Sequence, residues 1–251
     1  MTDFLTLFII GVTFFLAGGI KGIVGLGLPT ISLALLVVMF DLVTAIILTL
    51  IPSLVTNIWQ ALSRTGSAII LKRILPFLMM ALIAIWLGAY ILSSQDITLL
   101  TILLGVLLIS YSLMSLFGFN FSISDKHKKW ASVLLGTLNG SITGMSGVYI
   151  VPSVMYFQAI GLRRDEIVQA MGILFSLSSI SMLLAYKQQN LLTMEQVILS
   201  LYALFPALIG MYYGKKIRTY LSETAFKKAL FITLLFIGFF IVVKSLLIST
   251  A

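Results

Sequence analysis

Apolar positions run along this chain in blocks, and polar positions cluster between them. Six blocks are unbroken: Leu42–Leu62, Ile74–Leu92, Ile97–Phe117, Ile167–Tyr186, Val197–Tyr213 and Ala229–Ile248. About 20 residues of helix cross the ~30 Å hydrocarbon core of a bilayer, so each block predicts a membrane-spanning helix. A barrel strand would alternate apolar and polar residues, and these blocks do not. Two further stretches, Phe4–Phe40 and Trp130–Ile160, are equally apolar but are cut by glycine and proline. They predict helices broken inside the membrane.

Composition sharpens this picture. The 251 residues are 60% hydrophobic and 10% charged, with a mean hydropathy of +1.15, which excludes an ordinary soluble domain. There is no cysteine, hence no disulfide and no thiolate metal site. The first residues, MTDFLTLF, carry no basic region, so no cleaved leader is expected. The net charge of +8 does not point to nucleic acid, because the basic residues fall in loops between the apolar blocks.

Those loops set an orientation. Arg64, Lys72 and Arg73 flank one. Lys126, Lys128 and Lys129 lie in a second, Arg163 and Arg164 in a third, and Lys215, Lys216, Arg218, Lys227 and Lys228 in a fourth. Basic loops stay in the cytoplasm. The opposite loops, around Asp41, Ser93–Asp96 and Lys187–Met194, are nearly free of them; the remaining cations are Lys21, Lys187 and Lys244. Threading the blocks through these loops makes each broken stretch a pair that starts and ends on one side. Both termini come out extracytoplasmic. A multi-pass protein of the inner or plasma membrane is expected.

The chain also repeats. A shift of 122 residues lays Leu16, Gly18, Ile20, Gly22 and Gly25 on Leu138, Gly140, Ile142, Gly144 and Gly147. A proline follows each motif, Pro29 and Pro152. After each broken pair come three unbroken spans. Each half then crosses the membrane an odd number of times, so the halves are inverted relative to each other. The expected fold is an all-α integral membrane protein of two inverted repeats, residues 1–125 and 126–251. Each repeat is a broken helical pair, re-entrant or spanning, followed by three transmembrane helices.

Glycine motifs of this kind also serve plain helix packing. Matching Gly/Pro-interrupted segments in two inverted halves point beyond that, to a binding site. A helix that starts at the break presents free N–H groups to an anion. New starts are expected near Pro29 and near Val151–Pro152. Lys21 lies beside the first break, and a lysine at membrane depth costs about 2.5–3.5 kcal/mol on insertion scales. It either snorkels to the surface or pairs with an anionic ligand. Its repeat mate is Thr143. The expected substrate-binding set is Lys21, Gly22, Gly25, Gly27, Asn57, Thr143, Gly144, Ser146, Gly147 and Gln169. Asn57, Gln60, Gln169 and Ser176 fit interhelical hydrogen bonding equally well, and Asn139 and Ser141 flank the second motif. Asp165 and Glu166 fit a charged helix start. No H-E-x-x-H, Ser/His/Asp grouping or buried carboxylate pair is present, so neither an enzyme, a metal nor a prosthetic group is expected.

At these residues the chain resembles a known family. AGGIKGIVGLGLPTISLALL is similar to the first signature of the TauE/SafE sulfite-exporter permeases, and LNGSITGMSGVYIVPSVMYFQAIGLRRDEIVQAMG to the second. Many members carry a third consecutive glycine and a later proline where this chain reads GLGLP. The resemblance covers nearly the whole chain. It implies a transporter of small sulfur-containing anions such as sulfite, sulfonates or sulfoacetate, with some members moving other organic anions. Expected partners are a small anion and the bilayer; whether a coupling ion, proton or sodium, takes part is left open. Alternating access around a site at the repeat interface is the expected mechanism. An anion channel is the alternative that the broken helices leave open.

Overall fold

The computed structural model describes residues 3–62, 67–118 and 122–249. Among them the chain is entirely helical: α1 (Phe4–Val24), α2 (Leu28–Leu36), α3 (Leu42–Leu62), α4 (Ser67–Ser94), α5 (Ile97–Phe117), α6 (Lys128–Ser146), α7 (Ser153–Ala159), α8 (Arg164–Gln188), α9 (Met194–Ile217) and α10 (Glu223–Ser249). All of these except α2, α6 and α7 are long and apolar enough to cross a membrane. The protein is an all-α, multi-pass integral membrane protein. The six unbroken apolar blocks lie within α3, α4, α5, α8, α9 and α10. Arg64, used for orientation, lies outside the described residues.

Local chemistry sets the helix starts. The Asp96 carboxylate accepts from the Thr98 N–H at 2.8 Å and opens α5. Thr193 Oγ1 accepts from the Gln196 N–H while Gln196 Oε1 accepts from the Thr193 N–H, a reciprocal cap that opens α9. At the start of α8, Glu166 accepts from the Arg163 N–H at 2.7 Å and lies 3.9 Å from the Arg73 guanidinium. The charged run at 163–166 thus ties α8 to α4, as a charged helix start would.

The chain gathers into two compact units, and each draws elements from both sequence halves. One comprises Met1–Pro52, Asp96–Gly118 and Leu192–Ala251; the other comprises Ser53–Gln95 and Phe119–Leu191. In the first unit α1 packs along α9, α5 along α10, and α2 against α1. Gln196 Nε2 donates to Thr44 Oγ1 at 2.9 Å and Ser200 Oγ to the Leu48 carbonyl at 3.0 Å, fixing α9 to the first part of α3. In the second unit α4 packs along α6 and against α8. Phe77 of α4 stacks on Tyr156 of α7, with ring centroids 4.7 Å apart.

The α1–α9 and α6–α4 contacts are made backbone to backbone. A Cβ on Gly18 would collide with the Ala207 carbonyl, and one on Gly22 would lie 2.5 Å from the Met211 carbonyl and 2.9 Å from the Gly214 Cα. In the other unit a Cβ on Gly140 would strike the Ala81 carbonyl, and one on Gly144 would strike the Ile85 carbonyl and lie 2.9 Å from the Gly88 Cα. The two sets correspond residue by residue. Gly18 and Gly22 lie 122 residues before Gly140 and Gly144, and Ala207, Met211 and Gly214 lie 126 residues after Ala81, Ile85 and Gly88. Small residues let membrane helices approach this closely. The same contact therefore occurs twice, once in each unit. Register also fixes direction: Gly11, Gly18 and Gly22 meet Tyr202, Ala207 and Met211 in that order, so α1 and α9 run parallel.

Candidate functional site

The first break lies between α1 and α2. Gly25 ends α1 in the left-handed region (φ +88°), and its N–H caps the Lys21 carbonyl at 2.7 Å. Gly27, at φ +102°, caps the start of α2, and Pro29 occupies its first turn. L side chains are strained at both φ values, by roughly 1–2 kcal/mol each, so the double glycine is what lets the chain turn here. Space around Gly25 is open: a Cβ there would meet nothing within 4 Å. α2 begins at Leu28, matching the start expected near Pro29.

Lys21 lies one turn before this break and is only 4% exposed. Its neighbour Gly22 meets Gly214 and the Lys215 backbone, so Lys21 stands level with the basic end of α9. In the first turn of α2, Thr30 is 1% exposed, and among the described residues its hydroxyl has no hydrogen-bond partner. Nothing in the sequence around Thr30 distinguishes it from a packing threonine.

The second break follows the same plan with a longer connection. Gly147 ends α6 in the left-handed region and its N–H caps the Thr143 carbonyl at 2.9 Å. α7 starts at Ser153, directly after the expected Val151–Pro152. Here the polar side chains serve the connection itself. Asn139 Nδ2 donates to the Tyr149 and Val151 carbonyls, both at 3.0 Å. Thr143 Oγ1 donates to the Val148 carbonyl at 3.1 Å, and Ser146 Oγ to the Ile142 carbonyl while accepting from the Val148 N–H. Tyr186 Oη donates to the Gly144 carbonyl at 2.9 Å, and the Tyr149 and Ser179 hydroxyls lie 3.3 Å apart. Buried carbonyls left without such donors would cost about 1–3 kcal/mol each. Asn139, Tyr149 and Tyr186 thus emerge as supports of the break that only contacts could reveal.

Asn57 and Gln169 lie elsewhere in the second unit, on α3 and α8 where these two helices meet. Gln169 Nε2 donates to the Ala61 carbonyl at 3.0 Å, and Gln60 Nε2 to the Val168 carbonyl at 2.6 Å. Gly172 permits the crossing, since a Cβ there would lie 2.8 Å from the Ala61 nitrogen and 3.2 Å from the Asn57 carbonyl. Gln60 and Gln169 are reciprocal interhelical fasteners. Asn57 is 1% exposed beside them. Ser176 Oγ bonds back to the Gly172 carbonyl within its own helix. The proposed binding residues therefore form three groups: Lys21, Gly22, Gly25 and Gly27 at the first break; Thr143, Gly144, Ser146 and Gly147 at the second; Asn57 and Gln169 at the crossing.

The model of the family described as sulfite exporter TauE/SafE matches residues 10–241. The chain belongs to that family. Both breaks, both glycine contacts and the α3–α8 crossing fall inside the matched region of this TauE/SafE chain. No curated protein and no solved structure matches it. The family is one of membrane transporters of sulfur anions such as sulfite, which accords with the apolar helices found here. For a TauE/SafE protein the chemistry at the first break is apt. It combines one buried basic residue with a helix start opened by glycine.

Proposed function

We propose that the protein is a permease for small sulfur-containing anions of the sulfite, sulfonate or sulfoacetate type, working by alternating access around its broken helices. The observation that carries this reading is Lys21, a buried cation beside a helix end opened by two left-handed glycines. Family membership supplies the substrate class. Opposite charge would offset the desolvation of the lysine, and the first turn of α2 adds its dipole to the same end. The expected result is that sulfite or a simple sulfonate raises the melting temperature of the purified protein in a saturable way, while chloride at equal ionic strength does not. Equal responses to every anion would sink the reading.

The orientation proposed with it places the basic loops in the cytoplasm and both termini outside, in an inner or plasma membrane. The chain has no cysteine, so single cysteines report cleanly. In intact cells a membrane-impermeant maleimide should label Gln95→Cys, in the loop between α4 and α5, and should reach Lys129→Cys, at the start of α6, only after lysis. The reverse pattern would invert the topology.

A further inference from the structure

Buried hydroxyls in this protein usually find a carbonyl one turn back along their own helix. Ser32 donates to Leu28, Thr49 to Ile46, Ser112 to Leu108 and Ser176 to Gly172. Thr30 does not: among the described residues its Oγ1 is buried without a partner. Thr30 is the third residue of α2, so the positions one turn back, Leu26 and Gly27, belong to the break and to the cap. The Gly27 carbonyl accepts from the Ile31 N–H at 2.9 Å. A helical side chain leans toward the N-terminus of its helix. The Thr30 side chain thus leans toward the start of α2, the end that bears the free N–H groups. A buried hydroxyl without a partner is costly to keep.

We propose that Thr30 is a ligand-binding residue. Its hydroxyl completes an oxyanion subsite with the first turn of α2 and Lys21. This rests on the permease reading above and deepens it. The subsite consists of donors: an ammonium, a hydroxyl and backbone N–H groups. No aspartate or glutamate occurs between Phe4 and Phe40. The subsite therefore suits a fully ionised oxyanion without a cationic group and disfavours an aminosulfonate, whose ammonium would face Lys21 with no carboxylate to receive it.

The test uses the full-length chain in detergent, titrated with sulfite, methanesulfonate and 2-aminoethanesulfonate. Melting without ligand is recorded beside each titration. Thr30→Val keeps the shape and removes the hydroxyl. Without ligand it should melt at the parent temperature or higher, because a buried unpartnered group is gone. It should bind sulfite and methanesulfonate at least about fivefold more weakly. Thr30→Ser keeps the hydroxyl and should bind within about twofold of the parent. The parent should prefer methanesulfonate to 2-aminoethanesulfonate. If Thr30→Val melts well below the parent, the hydroxyl has a structural partner and the proposal fails. If it binds as tightly as the parent, the proposal fails while the permease reading stands. If the parent binds none of the three anions, both fail together.

Discussion

Gly22→Leu and Gly144→Leu should each abolish transport and leave little folded protein. A side chain at either position has nowhere to go. At Gly22 even the first carbon would lie 2.5 Å from the Met211 carbonyl and 2.8 Å from the Lys215 nitrogen; at Gly144 it would strike the Ile85 carbonyl and lie 2.9 Å from the Ala89 nitrogen. These neighbours are backbone atoms of α9 and α4, so they yield only if the helices part. Overpacking typically costs about 1–3 kcal/mol where side chains can shift. Here they cannot, and a whole leucine must force apart a contact that runs over several turns. Against a total stability of about 5–15 kcal/mol this is disabling. Gly25→Ala is the contrast. It meets open space and carries only the left-handed strain, roughly 1–2 kcal/mol, so it should remain folded. Yield of monodisperse protein and thermal unfolding separate the cases. Normal flux in both leucine variants would remove the structural role assigned to the paired glycines.

Lys21→Gln should weaken anion binding at least tenfold, about 1.4 kcal/mol, while leaving a monodisperse protein. Glutamine keeps a polar end, one atom closer to the backbone, and removes the charge. Lys21→Arg should retain part of the affinity, since the planar guanidinium is still cationic but bulkier. The position of Lys21 makes the competing outcome specific. It stands level with Lys215, at the basic end of α9, where a lysine can also serve the membrane surface. A purely interfacial lysine would bring no loss of affinity on conversion to glutamine. Titration of purified parent and variants with sulfite distinguishes the two. Parent-like binding by Lys21→Gln would displace the site from the first break.

The spans of this protein were legible in its sequence because membrane helices are read by length and apolarity, quantities that need no partner. The blocks Leu42–Leu62 and Ile97–Phe117 coincide with α3 and α5, and the breaks fall where Gly25, Gly27, Pro29, Gly147 and Pro152 placed them. Glycine and proline act on their own backbone, so their message is local. Where the apolar block Ile74–Leu92 ended at Arg73, α4 continues to Ser67, because the hydrogen bonds of a helix do not stop at a charged residue. Partner choice was not legible. A helix that is apolar all round shows no preferred face, and only the small residues hint at one. That Gly22 seeks Gly214, and Gly144 seeks Gly88, each across the sequence halves, was decided by backbone shape in three dimensions. The same holds for the polar residues. Thr143, Ser146 and Gln169 carried the right chemistry for a ligand; in the folded chain Thr143 and Ser146 bond to the nearby carbonyls of Val148 and Ile142, and tertiary structure gave Gln169 the carbonyl of Ala61. Nothing in the sequence singles out Thr30, yet folding buried its hydroxyl, which has no partner among the described residues. Residue type sets what a group can bond to; only the fold decides whether that capacity is already spent.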